Sequence, residues 1–212
     1  MSIIRETLKL AAKPVRETGK AYLRKMLHGE YVNQAYEPNE RCVEYRFVFE
    51  AITKTAPETV LDIGTGKTAL PHLMQSCGLK VTATDNIYDY WSKSGMFNRH
   101  FYVIDDDITK SRLTQTFGMV TCISTLEHIA GFESAVENMA RLLKPGGHLV
   151  LTCPYTENTY VDNVYQRPGS SVNPEVTYIC QSFCRVNVDR WLSQHRLTIV
   201  QQEYWQCFDG DV

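Results

Sequence analysis

The sequence lacks most features that would mark something other than a globular domain. It has no run of about 20 apolar residues, the length that spans a bilayer, and no signal-peptide core at its N-terminus. Glycine and proline number only 12 and 8 among 212 residues, and no internal repeat occurs, so collagen-like, low-complexity and coiled-coil structures are excluded. The net charge of −2 lacks the excess of basic residues typical of nucleic-acid binding. We expect a soluble protein with no nucleic-acid partner.

Cysteine is present without the spacing of a metal or redox site. The seven cysteines are an odd number, and none forms a C-x-x-C pair. Several lie in apolar runs, where a thiol behaves as a small hydrophobic group. Cys180 and Cys184 have helical spacing but no partner cluster of His or Cys, so no metal site is predicted. This usage is typical of a reducing compartment and favours a cytoplasmic protein.

Charge is distributed unevenly along the chain. Residues 1–29 contain seven Lys or Arg against two Glu, a local charge of +5, and residues 30–212 carry −7. Apolar residues in the basic segment fall close to one helical face. We therefore divide the chain into a basic helical extension, residues 1–38, and a main domain, residues 39–212. The extension is predicted to cover the side of the pocket where the second substrate would bind, with contact to a membrane surface as the alternative.

From Thr59 onward, short apolar strands alternate with amphipathic helices. Strands that are buried on both faces read as continuous apolar runs, and their alternation with helices is typical of a parallel sheet. The sequence therefore predicts an α/β fold with a doubly wound, mostly parallel sheet. Gly78 and the turn Pro145-Gly146-Gly147 are predicted to end the helices between the strands. The predicted strands are Val60–Ile63, Val81–Thr84, His100–Ile104, Met119–Ser124 and His148–Cys153.

One helix is predicted before this sheet. Pro38 and Asn39 open it, with Asn39 as a plausible N-cap. The residues expected on its apolar face are Val43, Phe47 and Ala51, which are spaced four apart. A further helix is predicted after the fifth strand, around Val188–Gln194.

The strongest local signal is the turn Gly64-Thr65-Gly66 at the end of the first strand. Gly64 permits a tight turn, Gly66 lets the backbone approach a ligand, and the following helix offers free N–H groups. A triphosphate-binding loop is disfavoured, because it needs a glycine where this chain has Leu61. The loose dinucleotide fingerprint is satisfied, with Asp85 as the ribose partner nineteen residues beyond Gly66. An NAD(P)-dependent oxidoreductase therefore remains an alternative.

Acidic residues in and after the first three strands distinguish these ligands. Asp62 places a carboxylate just before the turn, where it would hold an ammonium group and repel a pyrophosphate. Asp85 ends the second strand and can accept both hydroxyls of a ribose. Asp107 and Ile108 follow the third strand, where the carboxylate can accept from an adenine amine and Ile108 can cover the ring. A ligand with an ammonium, a ribose and an adenine but no phosphate is S-adenosylmethionine, the predicted cofactor.

The chain resembles the class I S-adenosylmethionine-dependent methyltransferases. The motifs Leu61–Gly66, Asp85, Asp107-Ile108 and Leu142–Leu151 occur in the family's order and spacing across residues 59–153. The resemblance implies a Rossmann-like fold, with S-adenosylmethionine as methyl donor and S-adenosylhomocysteine as product. Many members have a third glycine where this chain has Thr68, so neither Thr68 nor its neighbour Lys67 is expected to contact the cofactor.

The resemblance also implies roles for individual residues. Gly64–Gly66 and Ser124 would lie along the methionine portion, and Asp62 would approach its amino group through backbone or water. Asn86 and Ile87 would flank the adenosine. The full set of implied cofactor-binding residues is Asp62, Gly64, Thr65, Gly66, Asp85, Asn86, Ile87, Asp107, Ile108 and Ser124.

Two candidate catalytic residues, Glu127 and His128, come directly after the fourth strand. This is the end of the sheet where ligands bind in open α/β folds. His128 has an ordinary pKa near 6.5, which suits removal of a proton from a hydroxyl or an amine. The alternative is a buried histidine that orients a loop.

Aromatic residues are predicted to close a pocket for the methyl acceptor. They come from the long segment Tyr155–Arg185 and from Tyr88, Tyr90 and Trp91. Nothing in the chain resembles the Asn-Pro-Pro-Tyr type of motif found in methyltransferases that act on DNA or glutamine. We therefore predict methyl transfer to an oxygen or nitrogen of a small molecule, such as a sugar or a cell-surface metabolite. A non-catalytic protein that binds S-adenosylmethionine is the alternative.

The end of the sequence raises a question about the sheet. The family resemblance implies seven strands in the order 3-2-1-4-5-7-6, whereas Leu197–Phe208 is the last strand that the sequence predicts. Gly210 between two aspartates is a turn signal, as if a final hairpin were incomplete. We expect either a chain that ends before the last strand, leaving the outer edge of the fifth strand open, or direct pairing of Leu197–Phe208 with the fifth strand.

Overall fold

A computed structural model describes residues 39–91, 95–168, 170 and 178–206. The predicted basic extension, residues 1–38, lies outside these described residues, and so does the turn signal at Gly210. Within the described part of the chain, no helix combines the length and the apolar character needed to cross a membrane.

Five parallel strands form the central sheet. They are β1 (Thr59–Ile63), β2 (Lys80–Asp85), β3 (Val103–Asp105), β4 (Phe117–Ile123) and β5 (Leu143–Thr152). Their order is β3-β2-β1-β4-β5, so the chain runs outward from β1 to β3 and then returns across β1 to β4. The carboxyl ends of β1 and β4 therefore flank the point where open α/β sheets bind ligands. The predicted doubly wound α/β fold is confirmed.

Helices cover both faces of the sheet, because alternate residues of each strand point to opposite sides. They are α1 (Arg41–Thr55), α2 (Leu70–Ser76), α3 (Phe132–Arg141) and α4 (Arg185–His195). Val60 and Met119 pack with residues of α1 and α2. Their neighbours Leu61 and Val120 pack with residues of α3 and α4. The inner strands are thus buried on both faces, as their continuous apolar sequences predict.

The third strand is shorter than predicted. It begins at Val103 rather than at His100. The side-chain oxygen of Asn98 accepts the backbone N–H groups of His100 and Phe101, at 2.8 and 3.0 Å. This local capping holds the two residues in a bend and takes their donors away from any strand pairing.

Helix α1 buries a different face from the predicted one. Its buried residues are Glu44, Val48 and Ile52, one position beyond Val43, Phe47 and Ala51, and its N-cap is Glu40 rather than Asn39. The apolar pattern alone favours the face with Val43, Phe47 and Ala51, because the face that is actually buried includes the carboxylate of Glu44. Glu44 can be buried because hydroxyl groups at the carboxyl ends of β4 and β5 donate hydrogen bonds to it, as described below.

The chain after β5 departs from the predicted strand. Helix α4 is confirmed, and a separate two-stranded sheet pairs β6 (Tyr155–Thr156) with β7 (Phe183–Cys184). The predicted strand Leu197–Phe208 is wrong over its described residues, because residues 197–206 contain no strand. Gln201 accepts a hydrogen bond from Lys54 at 2.8 Å, and Trp205 lies 5.5 Å from the guanidinium of Arg46. Side-chain contacts with α1 therefore replace the pairing that β propensity predicts.

In the described chain, β5 has β4 as its one strand partner. Direct pairing of the last segment with β5 is therefore not found, and no strand from residues 154–196 of the described set lies beside it. The turn Pro145-Gly146-Gly147, predicted to end a helix, instead falls within β5 at a shift in its register with β4. A Cβ on Gly147 would lie 2.9 Å from the carbonyl oxygen of Lys144, so this shift requires a glycine.

Candidate functional site

The glycine turn after β1 is tightly packed. Gly64 and Gly66 have φ angles of +68° and +55°, in the left-handed region that favours glycine. A Cβ on Gly64 would lie 2.0 Å from Cγ2 of Thr125, and the Thr125 hydroxyl donates to the Gly64 carbonyl at 3.2 Å. The turn therefore rests directly on the segment that follows β4, and only glycine fits at its first position.

Asp62 lies beneath this turn and is fully engaged by the protein. Its Oδ1 accepts from the Thr121 hydroxyl and its Oδ2 from the Thr65 hydroxyl, each at 2.7 Å. Burial raises the pKa of Asp62 to about 6, against the opposing effect of these two hydrogen bonds. The side chain thus braces the turn against β4, and the predicted approach of Asp62 to a ligand's amino group stays a prediction.

Asp85, at the end of β2, reaches back to the turn. Its Oδ2 accepts the backbone N–H of Gly66 at 2.7 Å, and its Oδ1 accepts the indole N–H of Trp91 at 2.9 Å. Burial raises the pKa of Asp85, and the Gly66 hydrogen bond opposes this shift. Each carboxylate oxygen can accept a second hydrogen bond, so Asp85 can still bind a pair of hydroxyls.

A polar cavity opens beyond the ends of β2 and β3. Its volume is about 270 Å³, and it is lined by Asn86, Asp89, Asp105, Asp107, Lys110 and Arg112. Asp105 accepts the backbone N–H of Ile87 at 3.0 Å and so shapes one wall. Asp107 lines the cavity while its Oδ1 accepts from the N–H and hydroxyl of Thr109, at 2.9 and 2.8 Å. Ile108 instead packs in the core beside α3.

Ser124 and Glu44 form a contact that the sequence analysis missed. Ser124 follows β4 with a φ of +43°, unusual for a residue with a side chain. Its hydroxyl donates to Oε1 of Glu44, which also accepts from the Thr152 hydroxyl at 2.7 Å. Oε2 of Glu44 accepts from Arg41 at 2.8 Å. Helical periodicity does not reveal that Glu44 faces the strand ends.

Glu127 is a buried carboxyl with an incomplete set of partners. It is 4% exposed, and its Oε2 has no hydrogen-bond partner among the described residues. Burial raises the pKa of Glu127 to about 8, with a further contribution from the charge of Glu44 and an opposing one from Arg41. Glu127 is therefore mostly a neutral acid near pH 7 and can donate a hydrogen bond.

His128 is held in a defined orientation beside Glu127. Its Nδ1 lies 2.7 Å from the carbonyl oxygen of Ile179, so this nitrogen carries the proton in the neutral ring. Nε2 is then left as a proton acceptor, and it lies 3.7 Å from Oε1 of Glu127. Burial lowers the pKa of His128, which keeps the ring neutral near pH 7. This geometry suits both roles predicted for His128, that of a proton acceptor and that of a residue that orients a loop.

Three tyrosines gather next to His128. The Tyr178 ring lies 4.3 Å from the imidazole, 5.8 Å from Tyr90 and 6.2 Å from Tyr165, centroid to centroid. Trp91 packs edge-on against Tyr90, with 5.9 Å between ring centroids, and also donates to Asp85. The other aromatics predicted for an acceptor pocket lie elsewhere: Tyr155 contacts Tyr204, Tyr160 and Phe183 pack with Phe132, and Tyr88 is largely exposed. The strands β6 and β7 within Tyr155–Arg185 place Tyr155, Tyr160 and Phe183 apart from the tyrosines beside His128.

Metal binding finds no support in this part of the molecule. The described residues contain no group of three or more His, Cys, Asp or Glu side chains that could hold a metal ion. Six cysteines are described, and all are free thiols. Burial raises the pKa of Cys180, the one nearest Tyr165, to about 11, so it stays protonated near pH 7.

Comparison with known families and sequences supplies independent information. A family model described as a methyltransferase domain matches residues 34–202. The ubiquinone biosynthesis O-methyltransferase of Alkalilimnicola ehrlichii is 29% identical over 154 residues, which cover 66% of this chain and 60% of that protein. The mitochondrial enzyme of the same description from Schizosaccharomyces pombe is 31% identical over 100 residues, 44% of this chain and 36% of that protein. This chain thus spans less than two thirds of the length of either relative.

Solved structures share the fold at lower sequence identity. An S-adenosylmethionine-dependent methyltransferase from Clostridium acetobutylicum has a TM-score of 0.50 at 12% identity, covering 87% of this chain and 89% of that chain. The N-methyltransferase NodS from Bradyrhizobium japonicum, in complex with S-adenosyl-L-homocysteine, has a TM-score of 0.52 at 18% identity, covering 83% of each chain. At these identities the likeness concerns the fold alone.

Proposed function

The chain belongs to the family of methyltransferase domains, and on that premise we propose that it transfers a methyl group from S-adenosylmethionine to a small-molecule acceptor. The relatives described above are O-methyltransferases of ubiquinone biosynthesis, which favours an oxygen nucleophile. Because the chain spans only part of their length, its acceptor has to be argued from its own residues.

One hydrogen bond carries the choice of cofactor. A glycine turn that binds a pyrophosphate offers its backbone N–H groups to the phosphate oxygens. Here the Gly66 N–H donates to Asp85 at 2.7 Å, so the turn presents a carboxylate where a phosphate would need a donor. Such a site offers a pyrophosphate no free N–H at Gly66, and it attracts hydroxyls or a cation. S-adenosylmethionine has both, together with an adenosine and no phosphate.

The residues at the site fit the parts of this cofactor. We assign the ribose hydroxyls to the two oxygens of Asp85, and the adenosine to the polar cavity that Asn86 and Asp107 line. The methionine portion would lie along the glycine turn towards Ser124. Arg41, whose charge acts on both Asp62 and Glu127, is the residue we assign to its carboxylate. When bound, S-adenosylmethionine supplies an electrophilic methyl group on a positively charged sulfur.

Proton transfer from the acceptor falls to Glu127 and His128. The Nε2 lone pair of His128 can accept the proton of a hydroxyl, and the fixed Nδ1 contact with Ile179 holds the ring while it does so. Neutral Glu127 can donate its Oε2 proton to an acceptor oxygen and thereby fix the position of that oxygen. Both groups act by orientation and proton handling, which methyl transfer needs in addition to the exclusion of water.

The acceptor itself would lie against the three tyrosines. Tyr90, Tyr165 and Tyr178 form an aromatic wall beside His128, and such rings offer stacked and edge-to-face contacts to another aromatic ring. We therefore prefer a ring-bearing small molecule with a hydroxyl nucleophile. A labelled methyl donor offered with a phenol or catechol in one reaction and a sugar in another would distinguish them, and methylation of the sugar alone would contradict this choice.

A cytoplasmic location accompanies this proposal. It is supported by the six free thiols among the described cysteines, which are typical of a reducing compartment. The proposal includes no nucleic-acid partner, since the chain carries a net charge of −2.

Calorimetry tests the function most directly. We expect S-adenosylhomocysteine to bind the full chain, and NAD and NADP to give no heat of binding. Asp85→Ala should weaken binding of S-adenosylhomocysteine by roughly 1.5–3 kcal/mol, because charge-assisted hydrogen bonds to the ribose are lost. Asp189→Ala, which removes an exposed carboxylate from α4, is the matched control and should change affinity far less. Binding of NAD in place of S-adenosylhomocysteine would contradict the proposal.

A further inference from the structure

Glu44 is a buried carboxylate that has no role in the cofactor binding or the proton transfer proposed above. It is 7% exposed, although it belongs to a helix whose other ion pairs lie on the surface. Burying a carboxylate is costly unless hydrogen bonds compensate for the lost water. Glu44 has them on both oxygens, from Ser124 and Thr152 on one and from Arg41 on the other. A single side chain of α1 thus ties together the carboxyl ends of β4 and β5.

Ser124 connects Glu44 to the glycine turn of the site, because its backbone conformation depends on these hydrogen bonds. The left-handed conformation at its φ of +43° is unfavourable for a residue with a Cβ, so the surroundings must enforce it. Its backbone N–H donates to the carbonyl oxygen and the hydroxyl of Thr152, at 3.2 and 2.9 Å. Its side chain is held by Glu44. Since Glu44 holds the Thr152 hydroxyl as well, it acts on Ser124 from two directions.

The next residue transmits this conformation to the glycine turn. Thr125 is bonded to Ser124, and its methyl group occupies the space that a side chain on Gly64 would need. Its hydroxyl donates to the Gly64 carbonyl. A contiguous chain of contacts therefore runs from Glu44 through Ser124 and Thr125 to the turn. Any change in the backbone at Ser124 must move Thr125 against that turn.

We propose that Glu44 is a positioning residue that holds Ser124 in its left-handed conformation and thereby sets the packing of Thr125 on the glycine turn. This inference rests on the proposed function for its effect on the cofactor. Glu44 itself touches neither the cofactor nor the acceptor in this assignment. Glu44 also pairs with Arg41, at 2.8 Å, and the effect through the backbone after β4 is distinguished from that pair because only the backbone effect can be repaired by Ser124→Gly.

A rescue experiment tests this route. Glu44→Ala should weaken binding of S-adenosylhomocysteine roughly tenfold, a size typical of residues coupled in one hydrogen-bond network. Adding Ser124→Gly should restore most of the affinity, because glycine adopts a positive φ without help from Glu44. Glu50→Ala on the exposed side of the same helix is the matched control and should leave affinity unchanged. Unchanged affinity in Glu44→Ala, or a loss that Ser124→Gly does not repair, would overturn the inference.

The same variants give a readout without cofactor. In thermal unfolding, the double variant should be more stable than the sum of the two single effects predicts. The reason is that Ser124→Gly removes the need for the hydrogen bond from Ser124 to Glu44. Simple additivity would overturn the inference, even if the wild-type protein failed to bind S-adenosylhomocysteine and the proposed function fell. Should Glu44→Ala not fold, Glu44→Gln keeps an acceptor oxygen for Ser124, and a smaller loss with the same repair is expected.

Discussion

The site has two halves that differ in how they are built. The turn half consists of Asp62, Gly64–Gly66 and Asp85, which lie on two neighbouring strands and within 24 positions of one another. The helix half consists of Arg41, Glu44, Ser124, Glu127 and His128, drawn from α1 and from the segment after β4. Carboxylate oxygens in the turn half are all engaged by donors of the protein, whereas Glu127 retains a buried oxygen without a partner among the described residues.

The two buried acids show what this difference does. Asp62 and Glu127 are both nearly inaccessible, at 2% and 4% exposed. Two hydroxyls donate to Asp62, and its pKa rises only to about 6, whereas burial raises that of Glu127 to about 8. Hydrogen bonds to the ionised form account for the contrast. In the turn half, each carboxylate oxygen therefore accepts a hydrogen bond from the protein. The helix half retains a group, Glu127, that is able to exchange a proton with a ligand.

The largest expected effect is on turnover, in the helix half. His128→Ala should lower the turnover number by roughly 10²–10⁴, because general-base catalysis is lost. Affinity for S-adenosylhomocysteine should remain close to wild type, which calorimetry measures. His72→Ala, an exposed residue of α2, serves as the control. Parallel loss of affinity and turnover in His128→Ala would favour the loop-orienting role and remove this distinction between the halves.

The next effect is on stability, in the turn half. Gly64→Ala combines a positive φ with a Cβ 2.0 Å from Thr125, and should lower the free energy of unfolding by about 3 kcal/mol. Gly78→Ala separates the two causes, since Gly78 has a φ of +90° but open space around it. It should cost only about 1 kcal/mol. Equal losses in denaturant unfolding would show that the turn is not tightly packed against the segment after β4.

The most gradual effect concerns the pH dependence of stability. Glu127 has a raised pKa in the folded protein, about 8 against 4.5, so its contribution is fully present below pH 4.5 and is lost as the pH rises to about 8. Glu127→Gln does not titrate. The free energy of unfolding of this variant should therefore gain on that of the wild type by about 1.4 kcal/mol for each pH unit between these two values.

Glu58→Gln is the control for this measurement. Its hydrogen bond with Lys80 holds the pKa of the exposed Glu58 carboxyl below its usual value, so the opposite trend or none is expected. A flat difference between Glu127→Gln and the wild type from pH 4.5 to 8 would mean that Glu127 is ionised throughout, and that the two halves do not differ in protonation.

The turn half could be predicted closely from the sequence because its chemistry is local. The strand preceding Gly64, the two glycines and the acid ending β2 stand in a linear order that determines their spatial order in a parallel sheet. Trp91 is the exception. Its aromatic character predicted an acceptor wall, and the hydrogen bond of its indole N–H to Asp85 depends on how the chain bends after β2.

The helix half could be predicted only in part. Glu127 and His128 were predicted from their place after the fourth strand, and the structure adds the carbonyl of Ile179 that orients the imidazole. Glu44 was missed, since an acid among apolar positions of a helix gives no periodic signal of its own. The last segment was misjudged for the converse reason: its β propensity is real, but Gln201 and Trp205 find partners on α1.

What the sequence determined by itself was the order of strands and helices, the glycine turn and the acids that end or follow the strands. Apolar periodicity and glycine geometry are properties of neighbouring residues, and they need no distant partner to be recognised. What only the tertiary structure decided was which face of α1 is buried, which tyrosines meet His128 and why Ser124 adopts a positive φ. Each of these depends on contacts between residues 50 or more positions apart, such as Glu44 with Ser124, 80 apart, and His128 with Ile179, 51 apart. Such contacts exist only once the chain has closed, because burial then removes water and leaves each polar group dependent on the partner that the fold supplies.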